Sequence, residues 1–194
     1  MTKTIYRIMR TGVVFSAVFV LFSCTVMPIT DVAVSSVEPI RVLYIRAENV
    51  GMTAMFPMVR RMNDYFSLHE IPAENVRVLI VYANRQNNKY TLEVAFAVTN
   101  EIAADPEGKI KEKTYPALQQ AAVIIHTGPY SGLRHAAQQL SAWIEQNGYQ
   151  EAGPLFEEYL NNPKETPIKE LKTKIWIPVE LKTEGTEVFA AAED

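Results

Sequence analysis

Catalysis needs nucleophiles, acid–base groups or metal ligands at workable spacing, and this chain offers few of them. Its histidines, His69, His126 and His135, share no metal-binding spacing, and Cys24 is its one cysteine. A single thiol forms no intrachain disulfide and no cysteine-rich zinc cluster, and no Ser-His-Asp or Cys-His pattern is readable. No metal or cofactor is therefore expected. His126 ends an apolar stretch just before Gly128-Pro129 and is the one histidine placed to act as an acid or base. His135 falls at the margin of a helical stripe and His69 follows one, so both read as solvated groups.

Cys24 has a chemistry of its own. It closes Leu21-Phe22-Ser23-Cys24, which resembles a bacterial lipobox, where the cysteine is acylated and becomes the mature N-terminus; the bulky Phe22 departs from that pattern. Lys3, Arg7 and Arg10 precede an apolar run from Gly12 to Phe22, 11 residues long. Such a run is too short for roughly 30 Å of hydrocarbon but fits a signal-peptide core. Apolar character continues to Ile29, so an uncleaved anchor and a plain cleaved signal stand beside the lipoprotein. All three export the rest of the chain, and a membrane-anchored lipoprotein of the cell envelope is the expectation. The whole chain of 194 residues carries a formal charge of −3, without the basic excess of a nucleic-acid binder, and no DNA partner is expected.

The elements behind this leader follow from periodicity. Residues 1–23 read as signal or anchor, 24–39 as a tether, 40–180 as the folded domain and 181–194 as a flexible acidic tail. Within the domain, Ile40, Val42 and Tyr44 alternate with polar residues as in a strand. Met52, Met55, Phe56, Val59, Met62 and Phe66 recur at three and four, one face of a helix. Strands follow over 76–83 and 90–98, separated by turn chemistry from Asn84 to Asn88. After a connector, 121–126 is a strand and Leu133, Ala136, Ala137, Leu140, Trp143 and Ile144 form a helix face. That helix has Ser131 as its expected N-cap and Gly148 as its stop. Strands over 155–160 and 172–179 close the domain. The order β-α-β-β occurs twice, in 40–98 and 121–179. Gly51 and Gly132, Met62 and Trp143, and Val98 and Val179 are each 81 residues apart. The expected fold is α+β: tandem duplicated β-α-β-β units packed about a pseudo-twofold axis with a cleft between them.

Three stretches carry a resemblance: His126-Thr127-Gly128-Pro129-Tyr130-Ser131-Gly132-Leu133, Trp143-Ile144-Glu145-Gln146-Asn147-Gly148-Tyr149 and Glu158-Tyr159-Leu160-Asn161-Asn162-Pro163. Together they are similar to the GyrI-like family, which includes the effector-binding domains of bacterial multidrug-responsive transcription activators. Ile175-Trp176-Ile177-Pro178-Val179 is similar to its last strand. The resemblance implies the tandem fold and a cleft for small, often aromatic and cationic molecules, walled by aromatics around a buried acid. In the family that acid is typically a glutamate of the last strand, and counting back from Val179 lands on Lys174. The matching position of the first half is Glu93. Strand parity puts Glu93 with Ala95 and Ala97, and Lys174 with Trp176 and Pro178. If these faces line the cleft, Glu93 and Lys174 pair across it, with Tyr44, Tyr82, Tyr159 and Trp176 as walls.

The function expected is an exported, membrane-tethered binder of a small hydrophobic ligand, cations included. The resemblance also implies an alternative, a hydrolase of reactive toxins with Glu93 as general base and Tyr82 or Tyr159 as donor. A partner-binding scaffold is the other. Neither is favoured, and an enzyme is the lesser expectation.

Overall fold

The computed structural model describes residues 32–71, 76–99, 102 and 105–183. The apolar run, the Leu21–Cys24 motif and residues 184–194 of the acidic tail lie outside these. The elements are β1 (Ala33–Val37), β2 (Ile40–Val50), α1 (Met55–Leu68), β3 (Val78–Gln86), β4 (Lys89–Ala97) and β5 (Lys111–Tyr115). They continue with β6 (Leu118–Thr127), α2 (Leu133–Gln146), β7 (Tyr149–Glu151), β8 (Leu155–Tyr159) and β9 (Lys172–Leu181). Every strand and helix expected from periodicity is present. Three strands are not in that expectation. Ala33–Val37, inside the expected tether, pairs with β6; Lys111–Tyr115, inside the expected connector, pairs with β2; and the short β7 pairs with β9.

The strands form one antiparallel sheet in the order β1-β6-β9-β8-β3-β4-β2-β5, with β7 added beside β9. Right-handed twist accumulates across so many strands and curls the sheet into a half-barrel. Val42 of β2 therefore shares an apolar cluster with Phe156 of β8 and Trp176 of β9 on the face away from the helices.

Both helices pack on the other face. Met58, Met62, Tyr65 and Phe66 of α1 are buried against Ile80, Leu92, Val94 and Phe96. Leu133, Ala136, Leu140 and Ile144 of α2 are buried against Ala122, Ile124, Ile175 and Ile177. Each such large apolar side chain stabilises the fold by about 1.5–3 kcal/mol. These buried positions correct one correspondence read from the sequence. Counted from the first residue of each 14-residue helix, Met62 and Leu140 hold the same position, as do Tyr65 and Trp143, so the spacing of 81 read for Met62 and Trp143 does not hold within the helices. Trp143 is half-buried at the edge of its cluster, stacked on Tyr149 with ring centroids 6.1 Å apart.

The turns follow their residue chemistry. Asn87 and Asn88 both take positive φ, 47° and 59°, and close the two-residue β3–β4 hairpin, as a primed turn requires. Gly148 ends α2 at φ 77°. Ser131 does not cap α2: it lies within a 3-10 turn, Tyr130–Gly132, that leads into the helix without a side-chain cap. Among the described residues no helix is long and apolar enough to cross a membrane.

Candidate functional site

The sheet positions a cleft at its centre, where β3 pairs with β8. One helix stands on each side, so the floor between them is left uncovered. The cleft has a volume of about 1300 Å³. Its floor carries Leu155, Glu157 and Tyr159 of β8, Tyr82 of β3 and Ile177 of β9; Met52, Phe56 and Leu133 stand at its sides. Met52 and Phe56 are exposed, an apolar rim at the mouth.

Glu157 is the focus of this floor. Its pairing partners on the two adjacent strands are Ile80 and Ile175, so it sits between apolar neighbours and is only 7% exposed. Tyr82 and Tyr159 each donate a hydrogen bond of 3.0 Å to it, both to Oε2. Burial pushes the Glu157 carboxyl above the usual carboxylate range, and the two tyrosine hydrogen bonds hold it back only in part. The Tyr82 and Tyr159 phenols are pushed far above the usual tyrosine value, first by burial and then by the Glu157 charge. No cation pairs with Glu157 among the described residues.

Two further tyrosines extend the wall. Tyr90 meets Tyr82 edge to face at 5.8 Å, and Tyr130 meets Tyr159 edge to face at 5.2 Å. The His126–Gly132 motif places Tyr130. His126 Nε2 lies 3.0 Å from the Pro129 carbonyl, and a Cβ at Gly132 would come within 2.5 Å of the imidazole. Glycine at 132 thus admits the ring that fastens the turn, so His126 is accounted for as a structural group.

The other expected site residues lie on the opposite face of the sheet. Glu93 is buried and held by Lys113, by Arg46 at 3.0 Å and by the Tyr115 hydroxyl at 2.6 Å. Burial alone would raise its pKa; the bonds from Lys113, Tyr115 and Arg46 outweigh this and hold it below the ordinary value. Lys113 also stands over the Tyr44 ring at 4.4 Å and the Tyr115 ring at 4.3 Å. Lys174 does not pair with Glu93: its partner is Glu158, at 3.9 Å, which also takes Arg77 at 2.7 Å. Trp176 is 1% exposed and stacks on Phe156 with centroids 3.7 Å apart. A smaller recess of about 310 Å³ beside Tyr44 is lined by Arg46, Arg61, Lys109 and Lys111. It is basic, and Arg46, Arg61 and Lys109 are already paired with glutamates.

The expected set therefore divides. Tyr82 and Tyr159 come together in the cleft, whereas Tyr44, Glu93, Lys174 and Trp176 lie behind it. Glu93 cannot act as a base with Tyr82 or Tyr159, because Tyr82 is one residue along β3 from Val81, the pairing partner of Glu93. Glu157 is the residue that sequence reasoning missed. The signal was available: Glu157 is two residues before Tyr159 in a five-residue strand and shares its face.

Residues 30–180 match the family model described as the GyrI-like small molecule binding domain. No curated protein matches the chain. Among solved structures, the crystal structure of the EcmrR C-terminal domain is 23% identical at a TM-score of 0.64, over 78% of this chain and 98% of that one. The EcmrR–DNA complex gives 24% identity and a TM-score of 0.64 over 78% of this chain, which spans only 57% of that regulator. The structure of SAV2435 bound to tetraphenylphosphonium is 16% identical at a TM-score of 0.55, over 77% of this chain and 94% of that one. At these identities the likeness is one of fold.

Proposed function

The chain belongs to the GyrI-like small-molecule-binding family, and we propose that its cleft binds a hydrophobic cation with Glu157 as the counter-charge. One observation carries this reading: a carboxylate only 7% exposed stands in an open cleft with no cation beside it among the described residues. A buried, unpaired charge is costly, and a cation delivered by a ligand removes that cost. Tyr82, Tyr90, Tyr130 and Tyr159 supply π faces and apolar area for the body of the ligand. That a structural relative takes tetraphenylphosphonium adds support. Tetraphenylphosphonium titrated calorimetrically into the full chain is expected to bind, and Glu157→Gln to lose that binding while keeping its circular dichroism. Absence of binding to the wild-type chain, or undiminished binding to the variant, would overturn the proposal.

The proposal includes the setting and the history of the domain. Lys3, Arg7 and Arg10, the apolar run and Leu21–Cys24 support export and lipid tethering through Cys24. On this reading the ligand is met outside the cytoplasm and DNA is not a partner; the DNA complex belongs to a longer regulator. Metabolic palmitate labelling that Cys24→Ser abolishes tests the tether. Duplication of one β-α-β-β unit is supported by the strand order, which runs β4, β2 outward from β3 and β9, β6 outward from β8.

A further inference from the structure

Glu157 is solvated by the protein on one side only. Tyr82 and Tyr159 come from adjacent strands, yet both hydroxyls donate to Oε2. Oε1 accepts no hydrogen bond from any described residue. It is not sealed either, since the fully buried side-chain polar atoms without a partner are Arg61 Nε, Thr173 Oγ1 and Trp176 Nε1. Oε1 therefore keeps contact with the open cleft. Around it the floor is apolar: Ile80 and Ile175 pair with Glu157 across the sheet, and Leu155 and Ile177 complete the surface.

An ionised carboxylate has about four lone-pair positions shared by its two oxygens, and the protein fills two of them on one oxygen. Among the described residues no other donor bonds to Glu157, and Arg134, which also lines the cleft, forms no ion pair with it. A quaternary ammonium or phosphonium ion brings positive charge but no hydrogen, and its substituents keep that charge behind carbon. It satisfies the carboxylate by Coulomb attraction alone. A protonated amine brings the same charge with a donor, and forms a short, charge-assisted hydrogen bond to the bare oxygen.

We propose that the cleft selects cations bearing an N–H donor on a hydrophobic body (a protonated amine, amidinium or guanidinium) over quaternary ions of the same size, and that Glu157 Oε1 reads the difference. The inference rests on the proposed role of the cleft as a cation site. It concerns an atom rather than a residue: Oε2 is fixed by the two tyrosines and orients the carboxylate, and Oε1 is the docking point.

A matched pair of probes tests it, 4-phenylbenzyldimethylammonium with one N–H and 4-phenylbenzyltrimethylammonium with none, titrated calorimetrically into the full chain near pH 7. The N–H ion is expected to bind at least about tenfold tighter, the low end for a hydrogen bond to a charged group. In Glu157→Leu the two probes are expected to differ by less than about twofold. Equal binding of both probes to the wild-type chain, or tighter binding of the quaternary ion, overturns the N–H preference and leaves the cation site standing. Persistence of the tenfold gap in Glu157→Leu overturns the assignment to Oε1. If neither probe binds, the cation site itself falls and takes the inference with it.

Discussion

Glu93 and Glu157 are both glutamates in mid-strand, both nearly inaccessible, and they sit on opposite faces of one sheet in opposite electrostatic states. Glu93 has Lys113, Arg46 and Tyr115 around it, and its carboxyl is held below the ordinary value. Glu157 has two tyrosines and, among the described residues, no paired cation, and its carboxyl is pushed up. Glu158, the remaining buried acid among the described residues, is also compensated, by Arg77 and Lys174. The behind-sheet acids thus have counter-ions from the chain, whereas Glu157 has none paired with it among the described residues, although Arg134 lines the same cleft. The Glu93 site even shows what a bound cation looks like here, with Lys113 between two tyrosine rings and against a buried carboxylate. On the proposed reading, what the chain supplies from β5 on one face is supplied by a ligand on the other.

The sharpest way to break this contrast is to neutralise each acid in turn. Glu157→Gln is expected to weaken hydrophobic-cation binding by about a hundredfold or more, the loss of a desolvated charge pair, and to change stability by less than about 1 kcal/mol. Glu93→Gln is expected to do the reverse. It leaves Lys113 without its counter-charge, while Arg46 keeps Glu48, and lowers stability by about 2 kcal/mol, discounted because both cations are partly exposed, while cation binding stays within about twofold. Calorimetric titration and urea unfolding of the two variants read both effects. If Glu93→Gln loses more binding than Glu157→Gln, the functional assignment of the two faces is inverted.

pH separates the same two groups with opposite signs. The Glu157 carboxyl binds its proton more tightly in the folded chain than in the unfolded one. Its contribution therefore lowers stability as pH rises from the ordinary value of 4.5 through its raised folded value. The Glu93 carboxyl binds its proton less tightly when folded, so the stability it adds is present above 4.5 and is lost as pH falls through its depressed folded value. Urea midpoints across the acid and neutral range should show the Glu93→Gln deficit shrinking in acid. The midpoint of Glu157→Gln should gain on the wild type as pH rises. Parallel curves for wild type and both variants would remove the electrostatic basis of the comparison. For the cleft, cation affinity is expected to rise with pH until Glu157 is ionised, the same linkage seen from the ligand's side.

The contrast also marks how far the sequence could be read. Alternation at Ile40, Val42 and Tyr44, the apolar runs of β3 and β6, and the three-four spacing of Met55, Val59, Met62, Phe66 and of Leu133, Ala136, Leu140, Ile144 made the principal elements legible, because burial imposes those patterns. Met58 is buried without belonging to the stripe read from the sequence, and Met52 and Phe56, which belong to it, are exposed. β1 was not legible: Ala33-Val34-Ser35-Ser36-Val37 has small and polar residues in place of large aliphatics. Lys111-Glu112-Lys113-Thr114-Tyr115 carries the charges that blunt an edge strand, and so read as a connector. Of the site, Tyr82 and Tyr159 were legible as aromatics on strands. Glu157 was overlooked although it lies two residues before Tyr159 on the same face of one strand. Parity separates two faces but does not say which one the helices leave open over the seam. Glu93 and Lys174 were singled out by counting within a motif, and both turned out to have partners of their own.

The smallest expected effect probes the internal cation itself. Lys113→Met keeps the methylene stem over Tyr44 and removes the charge. Arg46 and Tyr115 still bond Glu93, and Lys113 is 29% exposed at its side chain, so the loss of stability is expected to be about 1 kcal/mol rather than the full cost of an orphaned acid. Among the described strands β5 pairs with β2 alone, and Lys113 joins it to Glu93 on β4. The variant should therefore exchange its amide hydrogens faster over Lys111–Tyr115 while β4, paired on both sides, is unchanged. Cleft binding should not move, because Tyr82, Tyr159 and Glu157 face the other way. Unchanged exchange and stability would mean that Arg46 and Tyr115 suffice to hold Glu93. The two carboxylates would then differ by one arginine rather than by a built-in ligand. Faster exchange in β5 together with weaker cation binding would mean that the two faces are coupled through the sheet, and that the counter-ions behind it help set the charge in front.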